Sequence, residues 1–240
     1  MLENLSKLWA AVQENVMYLL VFLLIFVAIF AVATALERLW LKPERQSPAR
    51  RTAYVGIFAA IAAVLVYFEF ALPFAPQFYE LDFSLVPVLI CSFSLGPVAG
   101  VVCELVKEIL KLLLKGTTTA FVGDLSNFVN GCAFILPASV IYFAKKSRKS
   151  AVIGMGVGTV VLTVFGSVFN AVYLLPAFSA LYGMPLDTIV GMGTKVNPSI
   201  TSVTTLVMFA VVPFNLLKGT LVSLITFFLY KHIERLLRMK

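Results

Sequence analysis

The stretch Val16-Met-Tyr-Leu-Leu-Val-Phe-Leu-Leu-Ile-Phe-Val-Ala-Ile-Phe-Ala-Val-Ala-Thr-Ala-Leu36 decides the fold class. It carries no charge over its whole length. At about 1.5 Å of rise per residue, a helix of this stretch crosses the ~30 Å hydrocarbon layer of a bilayer. Three more runs, 53–73, 151–176 and 202–230, are of similar length and mostly apolar. The chain has 240 residues, 60% of them hydrophobic and only 13% charged, with a mean hydropathy of +0.97. A soluble domain carries about 25% charged residues, so too little polar surface is present here to cover a water-soluble globule. The fold is an all-α integral membrane protein.

The net charge of +7 is not spread as a nucleic-acid surface would require. Thirteen of the 19 Lys and Arg fall in three short segments, at 38–51, 145–149 and 231–240. Such clusters flank membrane helices on the cytoplasmic side, so they read as topology determinants, and no nucleic-acid partner is expected. The first apolar run reads as a retained helix. Only Lys7 precedes it as positive charge, and it ends at Glu37-Arg38 without a small-residue cleavage site.

Seven helical segments follow from the hydropathy pattern, at about 16–40, 52–71, 83–96, 98–115, 120–144, 151–178 and 202–235. The third, bounded by Pro87 and Gly96-Pro97, is short enough to be tilted and partly buried. With all three basic clusters inside, the amino terminus lies outside and the carboxyl terminus in the cytoplasm. The connection 181–201, with Gly183, Pro185, Gly191, Gly193 and Pro198, reads as a loop able to cover an outward-facing pocket or as an ordinary surface loop.

Polar groups inside a membrane span are costly, about 2.5–3.5 kcal/mol for a charge at the bilayer centre, and those that persist face a cavity or a partner. Glu104, Lys107, Glu108, Lys111 and Lys115 share one helical stripe. Pairing of Glu104 with Lys107 and of Glu108 with Lys111 predicts an inward ion-pair ladder. The run 116–131 opens the next helix with three threonines as candidate caps, and puts Asp124 and Asn127 on one face. Helix-start N–H groups there are available to ligand oxygens, and a packing role is equally open. Asn170 lies in an otherwise apolar helix and needs hydrogen-bond partners. Asn215 and Lys218, three apart, point the same way. Lys218 has no acid at three or four residues' distance, so it needs a distant carboxylate or a ligand, and ligand contact is the favoured reading.

No set of residues suits catalysis, so an enzyme is not expected. The sole histidine, His232, sits in the basic tail. Cys91, Cys103 and Cys132 lie in apolar contexts without metal-ligand spacing, so neither a metal nor a disulfide is expected. No phosphate-binding glycine loop is present, and Asp124 is the only aspartate within the helical segments expected above, which argues against an intramembrane protease. Gly56/Ala60 and Ala59/Ala63 form overlapping small-residue pairs. Gly56, Ala59 and Ala63 are candidate contacts for a partner membrane protein, with internal packing the alternative.

The runs YELDFSLVP at 79–87, LGPVAG at 95–100 and ELVKE at 104–108 resemble the substrate-binding S components of energy-coupling factor (ECF) transporters. GTTTAFVG at 116–123, followed by Asn127-Phe128, and PFNLLKG at 213–219 resemble the riboflavin-binding branch more narrowly. The resemblance covers about 52–235. It implies a six-helix fold with an outward-facing vitamin pocket and no ATPase of its own. It also implies association with a transmembrane coupling subunit and two cytoplasmic ATPases, and toppling in the membrane to release substrate. Substrate-binding asparagines on the fifth and sixth family helices and a lysine on the sixth correspond to Asn170, Asn215 and Lys218. The small residues of the first family helix correspond to Ala59 and Ala63. Residues 1–51, an extra amino-terminal helix with a basic cytoplasmic linker, depart from the pattern, leaving 52–240 as the six-helix substrate-binding domain.

Riboflavin has a flat ring system with imide groups and a hydroxylated ribityl chain. Aromatic walls from Phe78, Tyr79, Phe83, Phe128 and Tyr173, with a few amides and one lysine, suit it. A phosphate ester asks for more positive charge than Lys218 supplies. Riboflavin is therefore the expected cargo and no cofactor is implied. The alternatives are another flavin such as riboflavin phosphate, another small vitamin, or a membrane scaffold without a ligand.

Overall fold

The structure, a computed structural model, describes residues 9–41 and 47–238, with side chains as far as residue 230. Lys42, Arg45 and the side chains of the basic tail, His232 included, lie outside the described residues. Helix α1 spans Val16–Leu36 and opens into a wide turn over Glu37–Leu41. Helix α2 spans Pro48–Val66, with Ser47 accepting from the Arg50 N–H and Pro48 in the first turn, where no N–H is missed. A hairpin follows, whose two-residue strands β1 (Phe70–Ala71) and β2 (Glu80–Leu81) pair antiparallel, Phe70 opposite Leu81. This is the one departure from an all-helical chain among the described residues.

Helices α3 (Leu85–Leu95) and α4 (Pro97–Lys115) turn at Gly96, and α5 (Val122–Lys145) follows. Helix α6 (Arg148–Phe169) starts with a capping box at Ser147 and Ser150. It continues through a wide turn at Asn170–Leu174 into α7 (Leu175–Tyr182). Then come α8 (Leu186–Thr194), α9 (Val203–Leu206), a third wide turn at Val207–Val211 and α10 (Val212–Arg238).

Five helical stretches among the described residues are long and apolar enough to cross a membrane: Val16–Leu41, Pro48–Val66, Val122–Lys145, Arg148–Tyr182 and Val203–Tyr230. The two expected segments that fall outside this set do so for different reasons. Helix α3 has only 11 residues, and every one except Ser94 is buried, as a short central helix must be. Helix α4 is long enough but carries the charged stripe, which it turns inward. Glu104, Lys107 and Glu108 are all buried.

The bundle core gathers α2, α3, α5 and α6 around Leu89, Ile90, Phe134 and Leu162. Helix α1 packs on α4 and α5. Its Phe22 and Phe26 rings lie 5.3 and 6.1 Å from that of Phe128, and Ala33 is fully buried. Glu37 at its end accepts a 2.7 Å hydrogen bond from the Val98 N–H in the first turn of α4 and pairs with Arg51 at 3.4 Å. Helix α1 is thereby fastened to the bundle at both levels.

Two of the wide turns have a covalent cause. Pro176 and Pro213 lack an N–H and crowd the carbonyls four residues earlier, at Val172 and Phe209. Both carbonyls lie inside the wide turns. The extra residue in each turn absorbs the conflict and re-aims the residues around it, a device that recurs at functional sites.

The segment 181–201, expected as a loop, is largely structured. Helix α8 buries Ile189, Val190 and Gly193, and Thr194 donates to the Ile200 carbonyl at 2.6 Å.

Candidate functional site

One end of the bundle encloses a cavity of about 490 Å³, within the 300–1,000 Å³ range of small-molecule sites. The hairpin, the α4–α5 turn, α7 and α8 meet around it. Glu69 pairs with Lys115, and the Tyr182 hydroxyl donates to the Thr118 carbonyl at 3.1 Å. Of the sequence-derived site residues, Tyr79, Asp124, Asn127, Asn170, Asn215 and Lys218 all line this one cavity. They come from the hairpin and three separate helices.

Phe83 is a correction. It does not line the cavity but packs half-buried beside Phe70, whose ring is 6.4 Å away. Phe128 faces α1, and Tyr173 lies against Phe169 at 5.0 Å. Phe78 and Tyr79 do line it, and the rest of the apolar wall comes from Phe178, Phe214, Leu174, Val211 and Ile189. Aromatic content identified the wall's composition, but one turn of helix decides which rings face inward.

Asn170 stands at the start of the wide turn before Pro176. Its amide donates to the Gly166 carbonyl at 2.7 Å, and its oxygen accepts from the Tyr79 hydroxyl at 2.8 Å. Burial pushes the Tyr79 phenol well above its ordinary value, so it remains a neutral donor. Gly166 also leaves room for two other amides. A Cβ there would stand 2.8 Å from Asn215 Nδ2 and 3.0 Å from Asn130 Oδ1. Neither of those atoms has a hydrogen-bond partner.

Lys218 finds the distant carboxylate it needs. Its Nζ donates to Asp82 Oδ2 at 2.8 Å, joining α10 to the hairpin across 136 residues. Burial alone would raise the Asp82 carboxyl. The Lys218 and Lys107 ammonium groups, with hydrogen bonds from Lys218 and the Ser84 N–H, outweigh it and hold Asp82 well below the usual carboxylate range.

The α4 ladder is less local than expected. Lys107 bridges Glu104 at 2.7 Å and Glu108 at 2.9 Å. Lys111 lies 3.7 Å from Glu108, too far for a hydrogen bond, and only 2.9 Å from Asp124 on α5. The ladder thus ties two helices together, and all of these residues line the cavity.

The start of α5 is also occupied. Thr117 Oγ1 accepts from the Phe121 N–H at 3.1 Å and donates to Asp124 at 2.7 Å, while Thr119 Oγ1 accepts from the Gly123 N–H at 3.0 Å. These N–H groups serve the threonine caps and are not open to ligand oxygens. The caps also hold Ala120 and Phe121 in left-handed backbone (φ 47° and 68°), a conformation costing roughly 1–2 kcal/mol per residue.

The small residues of α2 divide. Ala59 and Ala63 are buried inside the bundle, so they have no surface to offer a second protein in this conformation. This corrects the expectation for both. Gly56 and Ala60 lie on the exposed face, and a Cβ at Gly56 would meet nothing within 4 Å.

A membrane bundle that surrounds one mixed polar and aromatic chamber is the architecture of a substrate-capturing transport subunit. The family model for the substrate-specific component of ECF transporters matches residues 50–230. The chain belongs to this family, whose members are transport components and not enzymes. Among similar proteins, the riboflavin transporter RibU of Staphylococcus aureus is 35% identical over 189 residues, 79% of this chain and 93% of that protein. The riboflavin transporter FmnP of Bacillus subtilis is 29% identical over 177 residues, 73% of this chain and 87% of that one. A solved S component of a bacterial ECF transporter superimposes with a TM-score of 0.62 at 33% identity, covering 79% of this chain and 98% of its own. The protein is thus a multi-pass membrane protein, and its family implies a partner energy-coupling module.

Proposed function

We propose that the chain captures riboflavin outside the cell as the substrate-binding subunit of an ECF-type vitamin importer. The observation that carries this reading is the convergence of Asn170, Asn215 and Lys218 with Tyr79 on one chamber. Amides and an ammonium group match the ring's imide and carbonyl edge, and Phe178, Phe214 and Leu174 match its flat apolar faces. Two similar proteins bearing the name riboflavin transporter support the same cargo. A transmembrane coupling subunit and two cytoplasmic ATPases supply the energy.

The cavity end faces outward in this reading, with the amino terminus outside and the carboxyl terminus in the cytoplasm. Its support is the position of Arg51, Lys145, Lys146, Arg148 and Lys149 at the ends of helices remote from the cavity. Residues 1–51 form an addition to a six-helix carrier spanning 52–240, in keeping with a family match that begins at residue 50.

The test is purification in detergent from flavin-producing cells, followed by an absorbance spectrum and competition among riboflavin, riboflavin phosphate and unrelated vitamins. Copurifying flavin displaced best by riboflavin supports the proposal. A protein that neither carries nor takes up flavin is a scaffold or a carrier of something else.

A further inference from the structure

Glu104 and Glu108 are buried to 0% and 1% exposure, and both line the cavity. Each uses one carboxylate oxygen, Oε1, to hold Lys107. In each the other oxygen, Oε2, has no hydrogen-bond partner, that of Glu108 having only the ion-pair contact with Lys111 at 3.7 Å. A buried carboxylate oxygen left unpaired is costly, and the group that relieves it must donate. Lys107 is already shared between the two glutamates and Lys111 is held by Asp124, so the chain's nearby ammonium groups are committed elsewhere.

Glu104 reaches this position because residue 131 has no side chain. A Cβ on Gly131 would stand 2.2 Å from Glu104 Oε1. Across from the two carboxylates, α5 contributes Ser126, Asn127 and Asn130 to the same wall. The two carboxylates thus add acceptors to a chamber otherwise lined by amides, lysines and aromatic rings.

We infer that Glu104 and Glu108 form a subsite for the hydroxylated chain of the substrate, their free Oε2 atoms accepting O–H groups, and so select a flavin bearing a polyol over the bare ring. The inference rests on the flavin reading above and deepens it. Each O–H donated to one of these oxygens forms a hydrogen bond inside a buried wall, where such bonds are stronger than in water. A hydroxylated chain supplies the donors that these oxygens do not find within the protein.

The experiment compares riboflavin with lumiflavin, which keeps the ring but carries a methyl group in place of the ribityl chain. Full-length wild type, Glu104→Gln and Glu108→Gln are titrated with each. Either substitution leaves Lys107 a carboxylate partner and Lys111 its bond to Asp124, and thermal unfolding checks that the fold holds. The expected result is riboflavin binding weakened about tenfold or more, with lumiflavin binding changed by less than about twofold. Equal losses for both ligands, or no loss for riboflavin, overturn the inference. Equal losses accompanied by a sodium requirement assign the oxygens to a cation and overturn it as well. Wild-type protein that binds the two flavins equally overturns the subsite alone, whereas protein that binds neither overturns the flavin reading with it.

Discussion

Lys218 on α10 and Asp82 in the hairpin, 136 residues apart, form a 2.8 Å charge-assisted hydrogen bond at the cavity wall. This pair joins the segment that covers the chamber to the helix that forms its side. Removing one member leaves the other buried and uncompensated, a loss of about 3–5 kcal/mol for fully buried pairs. The ~12% exposure of Lys218 puts the expected loss at the lower end. Asp82→Asn is expected to lower the unfolding temperature clearly, measured in detergent without ligand.

The pH dependence of that difference follows from the Asp82 carboxyl, which is held below its ordinary value of 3.8. A depressed carboxyl contributes stability that is fully present above its unfolded value and is lost as pH falls through the folded one. The gap between wild type and Asp82→Asn should therefore be constant from neutral pH to about 5, and close only in stronger acid. Thermal unfolding over a pH series measures it, and a gap that shrinks already between pH 7 and about 6 contradicts the assignment.

Tyr79→Phe removes the donor to Asn170 and leaves that amide oxygen without its 2.8 Å partner. The expected cost is about 1–3 kcal/mol. Because Asn170 lines the cavity, ligand affinity should fall alongside. Unchanged affinity in a folded Tyr79→Phe protein separates Asn170 from the ligand.

Gly166→Ala tests the chamber without removing any polar group. The added methyl collides with the amides of Asn215 and Asn130, while alanine favours helix by about 1 kcal/mol over glycine. Ligand binding should weaken by more than about tenfold as those amides are displaced, with the unfolding temperature held or raised. A parallel loss of both would mark Gly166 as a packing position only.

Gly56→Trp and Ala60→Trp place bulk on the exposed face of α2. If a partner subunit docks there, uptake by cells falls while binding to purified protein is unaffected. Ala59→Trp is not a clean probe, because Ala59 is fully enclosed and overpacking destabilises.

Much of this was legible in the sequence because lipid leaves few options. Apolar run lengths located the helices, and the isolation of Lys218 signalled a distant carboxylate or a ligand. The identity of Asp82 was not legible, because long-range pairing leaves no local pattern. Gly56/Ala60 and Ala59/Ala63 illustrate the same limit. Both pairs have four-residue spacing, and only the neighbouring helices decide which one is enclosed. The phenylalanines show it again, as Phe83 and Phe128 turned away while Phe178 and Phe214 turned in. Pro176 and Pro213 are the local sequence signal for two of the wide turns. Each forces a wide turn upstream, and those turns set the facing of Asn170 and Val211.

The most direct test of the account is a riboflavin titration of the purified chain beside Asn215→Ala, followed by flavin fluorescence. Saturable binding by the wild type at one flavin per chain is expected, weakened more than about tenfold in a variant that is still folded. No saturable binding by the wild type, or affinities that agree within about twofold, contradicts it.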